Sequence, residues 1–301
     1  MSNTNSSASQ FSDKFAGVVE RGKIYAQHIL SLPNDSFEKT IAVAFALCLV
    51  GAVLVSGSAV VLKPLQVGNK AADEKVNILE VAGVTVANKA DVEEAFKKFE
   101  PKLVDLETGE YTDAYPAEGF DQRKASKDPA LTVEIPSDKD IAKIGRKSKI
   151  AKVYLVKEDG KVKSVILPVS GYGLWSTMHG YMALEADGQT VIGLNLFDQA
   201  ETPGLGGEVV NPKWKALWKG KKVYKESGEG DFQSKHHTEV GEPALSLVKG
   251  TVDPSKPGAQ HQVDGLAGAT LTSNGVNNLI RYWLGSEGFA PYLAKLRSQR
   301  G

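Results

Sequence analysis

Twenty-two consecutive residues without a charge, Ile41 to Leu62 (IAVAFALCLVGAVLVSGSAVVL), constrain this chain more than anything else in it. As a helix rising 1.5 Å per residue the run reaches about 33 Å, enough to cross a hydrocarbon core of about 30 Å. A core helix of a soluble domain is usually shorter and amphipathic. A cleaved signal sequence has a short basic start and an apolar stretch of about 7–15 residues, whereas here forty residues precede the run. The reading is therefore an uncleaved single-pass anchor. Gly51, Ser56, Gly57 and Ser58 are small enough to let a second helix approach in lipid, and Cys48, the one cysteine, sits inside the run as a small hydrophobe. Flanking cations leave orientation undecided, with Arg21, Lys23 and Lys39 before the span against Lys63, Lys70 and Lys75 after it.

Four parts follow: an extension over 1–40, the span over 41–62, a polar and helical stretch over 63–147 belonging to the soluble part, and a domain over 148–301. Residues 1–10 are rich in Ser and Asn. After them Phe11, Phe15, Val18, Tyr25, Ile29 and Leu32 recur at spacings that fit an amphipathic helix, lying on a membrane surface or packed against protein. Glu74–Ala82 and Asp91–Phe99 read as helices, and nothing over 101–147 carries chemistry. From Lys149 the period changes to that of strands. Ala151–Lys157 and Val162–Val169 flank a Glu-Asp-Gly-Lys turn, and Met182–Ala186 and Val191–Phe197 flank Asp-Gly-Gln-Thr, two hairpins of an antiparallel meander. Apolar helices over Gly275–Leu284 and Pro291–Leu296 close the chain. The class is α+β: one N-terminal transmembrane helix, then a soluble domain on antiparallel β-meanders with flanking helices.

Thirty-six Lys and Arg balance thirty-six Asp and Glu, so no basic field marks a nucleic-acid partner. The five histidines show no spacing that sets two ligands on one helical face, and His236-His237 are adjacent; no metal site is expected. A Walker loop and a complete dinucleotide fingerprint are both missing from the sequence. Three segments are not ordinary turns: Gly171–Ser176, Glu201–Glu208 with Gly204, Gly206 and Gly207, and Asp264–Thr272. Glycines so placed let a backbone approach a ligand closely. Gly268-Ala269-Thr270 lead into a helix, where unpaired N–H groups and the helix dipole favour an anion. Thr270 or Thr272 as a plain N-cap is the alternative.

Asp264-Gly-Leu-Ala-Gly-Ala-Thr270 resembles the D-x-x-[ST]-G-A-T flavinylation motif, in which the last threonine carries FMN through a phosphoester made by a flavin transferase. Position 267 is Ala where the motif usually has Ser or Thr, with the acceptor Thr270 intact. Together with Tyr154–Lys157 (YLVK), Val165–Ser176 (VILPVSGYGLWS), Glu201–Val209 (ETPGLGGEV) and Asp264–Val276 (DGLAGATLTSNGV), the chain resembles the NqrC family, the C-type subunits of the sodium-translocating NADH:quinone oxidoreductase, from the anchor to the C terminus. The related G-type subunit of electron-transport complexes shares the anchor and motif but fewer of the other blocks; a membrane-anchored flavin-binding regulator is a further alternative. The resemblance implies a covalent FMN on Thr270, electrons passed between other membrane and peripheral subunits, a bacterial inner-membrane location with the flavin domain on the periplasmic side, and no complete activity from this chain alone. It also implies a cofactor site made of Asp264, Gly268, Ala269, Thr270, Leu271 and Thr272 around the attachment, and of Leu174, Trp175, Ser176, Glu201, Thr202, Gly204, Leu205 and Gly206 around the ring. Trp175, Leu174, Thr202 and Leu205 are the expected wall of the isoalloxazine, with a buried structural Trp175 as the rival. Thr272 is expected to cap the helix or bond a phosphate oxygen.

Overall fold

The structure, a computed structural model, describes residues 17, 20–86, 88–225 and 242–298. Phe11, Phe15, Val18 and the pair His236-His237 lie outside the described residues. The chain divides into two units, Met1–Lys70 and Ala71–Gly301.

In the first unit a helix over 20–31 (α1) is followed after a short turn by the long helix α2, Phe37–Val81. Lys39 ties the turn together, its Nζ donating to the carbonyls of Leu32 at 2.8 Å and Leu30 at 3.3 Å and to Asn34 Oδ1 at 2.9 Å. A cation on the last carbonyls of a helix satisfies acceptors that have no partner within it. The large apolar side chains of α2 from Phe37 to Val67 are exposed, and the helix is long and apolar enough to cross a membrane. Ser56 and Ser58 turn their hydroxyls back onto the carbonyls of Ala52 and Leu54, at 2.6 and 2.7 Å, so neither presents an unpaired donor. The sequence suggests a separate helix over Glu74–Ala82; it is instead the end of α2, which continues through Pro64.

The second unit is built on an antiparallel sheet of β1 (Phe99–Asp105), β4 (Ile150–Glu158), β5 (Lys161–Tyr172), β6 (Thr177–Glu185) and β7 (Val191–Asp198), in the order β1-β4-β5-β6-β7. The segment between the two expected hairpins, Gly171–Ser176, is itself a hairpin connection: Tyr172 pairs with Thr177 and Gly173 N–H donates to Ser176 O. All four strands thus form one meander. Successive side chains point to opposite faces. Tyr154, Ile166, Tyr181 and Ala183 face Ile78 and Leu79 of α2 and Val92 of α3 (Lys89–Phe96). Val153, Leu155, Val165, Leu167, Met182 and Leu184 face a larger core completed by α6 (Thr270–Leu284) and α7 (Ala290–Ser298). On the first face Glu74 accepts from the hydroxyl of Tyr181 at 2.9 Å, binding the end of α2 to the sheet.

The stretch over 101–147 is more structured than its polar sequence suggests. It contains most of β1, a turn of helix α4 (Gln122–Ala125), capped by Asp121 Oδ1 on the N–H groups of Arg123 and Lys124, and the small ladder of β2 (Thr132–Glu134) with β3 (Arg146–Ser148). Asp91–Phe99 is not one helix, since α3 ends at Phe96 and Phe99 begins β1. A second small ladder, parallel, joins β8 (Ser246–Val248) to β9 (Gln262–Asp264).

The central strand β5 is paired on both sides only in its middle, over Ser164–Ile166. Its ladder with β4 stops at Ile166, whereas that with β6 runs on to Tyr172. Beyond Ile166 the outward groups find other partners: Trp283 Nε1 donates to Ser170 O at 2.6 Å, and Tyr172 N–H to Ala142 O at 2.8 Å. Pro168 shares their parity, so the N–H it lacks belongs to this open edge, where the sheet tolerates it.

Candidate functional site

The three unusual segments converge on one buried carboxylate. β7 ends at Asp198, and the following loop is tied to the β5–β6 connection by Ala200 N–H on Ser176 Oγ at 3.0 Å. This sets the side chain of Glu201, 5% exposed, between the hairpin tip and the first turn of α6. Its Oε1 accepts from the backbone N–H groups of Leu174 and Trp175, both at 3.0 Å, and its Oε2 from the hydroxyl of Thr272 at 2.6 Å. Burial pushes this carboxyl up, and the bonds from Thr272, Trp175, Leu174 and Ser176 outweigh it, holding the group below the usual glutamate range. Glycine is required on both sides of it. A Cβ at Gly206 would overlap Thr272 Oγ1 and lie 2.8 Å from Glu201 Oε2, and one at Gly173 would overlap Glu201 Oε1.

Trp175 is 64% exposed, and its Nε1 donates to Thr202 Oγ1 at 3.1 Å. This sets aside a buried structural Trp175: the ring stands at the surface, steered by Thr202. Leu174 and Leu205 on the loops and Leu271 on the first turn of α6 are also exposed, an unusual concentration of large apolar side chains on the segments that Glu201 joins. Gly204 and Gly268 both have positive φ, +77° and +71°, and a Cβ at Gly268 would meet Leu205 Cδ2 at 3.1 Å.

The helix α6 begins at Thr270, three residues earlier than a cap at Thr272 requires, and its N-cap position is Ala269, with no side-chain cap. Its first N–H groups have no partner within the helix, a donor set suited to an anion. The two competing threonines differ sharply. Thr272 is 1% exposed and committed to Glu201, so it does not cap α6 as one of its two expected roles required, while Thr270 is exposed on the first helical residue. Asp264 stands apart from the ring side: Oδ1 accepts from Val252 N–H at 2.8 Å and its carbonyl from Trp214 Nε1 at 2.9 Å. It braces the loop that precedes the motif. Ala267 is exposed, and the loop around it is held by Leu266 N–H on Ser273 Oγ at 3.0 Å and Gly265 N–H on Val248 O at 2.8 Å. A hydroxyl at 267 is not needed for that shape.

A family model described as an FMN-binding domain matches residues 173–285, from the hairpin tip to the end of α6. The C-type subunit of the Na(+)-translocating NADH-quinone reductase of Pseudomonas aeruginosa is 47% identical over 267 residues, covering 88% of this chain and 97% of that one. The chain belongs to this family of C-type subunits. The Vibrio anguillarum member is 46% identical over 265 residues, covering 88% of this chain and 96% of its own length. Two crystal structures carry the same fold: that of Shewanella oneidensis NqrC, 34% identical with a TM-score of 0.66 over 76% of this chain and 99% of that one, and that of the Parabacteroides distasonis member, 27% identical with a TM-score of 0.54 over 78% and 96%. Membership identifies a flavoprotein component of a membrane oxidoreductase, rather than the G-type component of a related complex or a regulator. The residue that sequence reasoning undervalued is Glu201. The resemblance implied it only as one of the ring-side residues, and its role as the meeting point of three segments is a property of the folded chain.

Proposed function

We propose that the chain carries FMN on Thr270 through a phosphoester and passes electrons through it between other subunits of the sodium-translocating quinone reductase. The observation that carries this reading is the contrast between the two threonines: Thr270 offers an exposed hydroxyl at the uncapped start of α6, and Thr272 is buried on Glu201. A phosphodiester there keeps one negative charge, toward which the first N–H groups of α6 and its dipole are favourable. Bound FMN supplies transfer of electrons singly or in pairs. Trp175, Leu174, Leu205 and Leu271 supply the apolar wall for a flat ring. Thr202 orients Trp175, and Glu201 keeps the two ring-side loops and α6 in register. A flavin transferase acting on Asp264–Thr270 makes the link. Residues 41–62 of α2 cross the bacterial inner membrane once, 63–147 complete the soluble domain, and 148–301 bear the flavin on the periplasmic side.

The test is a denaturing gel viewed under ultraviolet light. The full chain made with its transferase should give a fluorescent band; Thr270→Ala should lose it and Thr272→Ala should keep it. Fluorescence retained by Thr270→Ala, or added mass on another residue in a peptide map, refutes the assignment. For topology, a reporter active only in the periplasm should be active when fused after Gly301, and activity of a cytoplasm-only reporter at that junction would reverse the orientation.

A further inference from the structure

The helix preceding the span has no part in the flavin site, yet its side chains are ordered in a way that packing within the chain does not explain. At about 100° per residue, Gly22, Tyr25, Ala26, Ile29 and Leu30 of α1 fall within an arc of about 140°. Lys23 borders that arc on the Leu30 side and Arg21 on the Tyr25 side. Glu20, Gln27 and Ser31 occupy the middle of the opposite face, with Ile24 the one large apolar residue among them. Of the apolar arc only Ile29 is buried, at 7% exposed; Tyr25 and Leu30 are 62% and 74% exposed. So α1 meets α2 through its last turn, where Lys39 bonds the Leu30 and Leu32 carbonyls and His28 Nε2 lies 3.9 Å from Glu38 Oε2, and does not lie along it. Outside the described residues, Phe11, Phe15 and Val18 continue the same spacing in the sequence.

We propose that α1 lies in the lipid–water interface of the membrane that α2 crosses, its Tyr25–Ala26–Leu30 side in the acyl boundary and its Glu20–Gln27–Ser31 side in water. The occupant of the exposed apolar face is lipid. Cations at the two edges of an apolar arc reach outward along their stems to the headgroup level, and the single acid of α1, Glu20, stays on the far side from anionic headgroups. The face is also continuous with a lipid-facing surface, since five residues, 32–36, separate α1 from the start of α2. The turn braced by Lys39 then fixes the depth at which α2 enters. The inference rests on the proposed crossing by α2, and the test separates the two.

Full-length protein in phosphatidylethanolamine and phosphatidylglycerol vesicles is spin-labelled at one thiol at a time, and collision with oxygen, which partitions into lipid, is compared with collision with a water-soluble nickel chelate. The native Cys48, exposed on α2, reports the crossing and should favour oxygen. In a Cys48→Ser background, Ala26→Cys and Leu30→Cys should favour oxygen several-fold over Gln27→Cys and Ser31→Cys, which should favour nickel. With Cys48 lipid-exposed, nickel access at all four α1 positions would put the helix in water and overturn the inference. Exclusion of both reagents at Ala26 and Leu30 would make the face a protein contact and overturn it equally. A Cys48 open to nickel would instead overturn the crossing itself.

Discussion

Two turns of the same meander show two ways of ending a hairpin. Between β4 and β5, Glu158 pairs with Lys161 across a two-residue loop whose Asp159 and Gly160 both have positive φ, +51° and +76°. That is the turn whose twist matches its strands, and it needs nothing from the rest of the molecule. Its charges, including the Glu158–Lys163 pair, stay in water. Between β5 and β6 the connection Gly173–Ser176 is shaped from outside, by a buried carboxylate more than twenty residues away that takes two of its N–H groups. Local chemistry closes the first turn. The second depends on the tertiary structure, and it holds its exposed tryptophan only as long as Glu201 is in place.

Removing the two carboxylates should separate these modes most strongly. Glu201→Ala leaves the N–H groups of Leu174 and Trp175 and the Thr272 hydroxyl without their acceptor, and should cost about 3 kcal/mol, at roughly 1–3 kcal/mol per buried unsatisfied group with partial relief from water. Glu158→Ala should leave the thermal midpoint of the isolated soluble unit unchanged. Comparable losses from both would mean that Glu201 is not holding the loops together.

Glycine replacement sharpens the same contrast. Gly206→Ala drives a methyl group into Thr272 Oγ1 and Glu201 Oε2, overpacking that should cost about 2 kcal/mol and, because it displaces the loops, shift the absorption of the bound flavin. Gly160→Ala meets no atom within 4 Å. It should cost only about 1 kcal/mol, from a left-handed backbone, with the flavin spectrum unchanged. Equal spectra in the two variants would uncouple Gly206 from the site.

The smallest effect is the pH response. His179 lies near the site end of β6, across from Asp198 of β7; burial, with the Arg123 cation beside it, pushes its ring down to about 4 from an ordinary 6.5. The unfolded chain therefore takes up this proton first. Stability from a neutral His179 is full above about pH 6.5, declines between about 6.5 and 4, and is flat below. With the ring half-buried, the loss should be about 1.5 kcal/mol rather than the full shift converted at 1.36 kcal/mol per unit. Denaturation midpoints measured across that window should show the decline, and His179→Gln should remove it. An unaltered slope in the variant would assign the decline to other groups.

Where the chain obeys local rules, its sequence shows the structure. The alternation of Val153, Leu155, Val165 and Leu167, the Asp-Gly turn and the apolar stripe of α6 give the four central strands and the last helices, although β6 begins at Thr177 and α6 at Thr270, each five residues before the sequence pattern starts. The edge strand β1 is hidden because Pro101 interrupts its pattern, which a strand with one open side tolerates. The continuity of α2 is hidden by the charges from Lys70 to Lys75, where its apolar side chains change from exposed to buried against the sheet. At the site, the three segments stand out by their glycines. That Thr272 turns inward and Thr270 outward follows from where Glu201 lies, a contact across 71 residues that no local pattern encodes.

The half-open central strand has a consequence for how such a chain survives its own synthesis. Until its partners have docked, the row of outward donors and acceptors beside the β5–β6 hairpin is a template on which a strand from a second molecule can add, and the hazard is greatest before α6 is in place. Pro168 removes one donor from that row permanently, whatever else has folded; Ala142, earlier in the chain, takes the Tyr172 N–H without waiting for the C terminus, while Ser170 O has its partner only once Trp283 of α6 has been made and docked. The proline thus acts as a gatekeeper against aggregation during the interval in which the nascent domain has its strands but not yet its last helices.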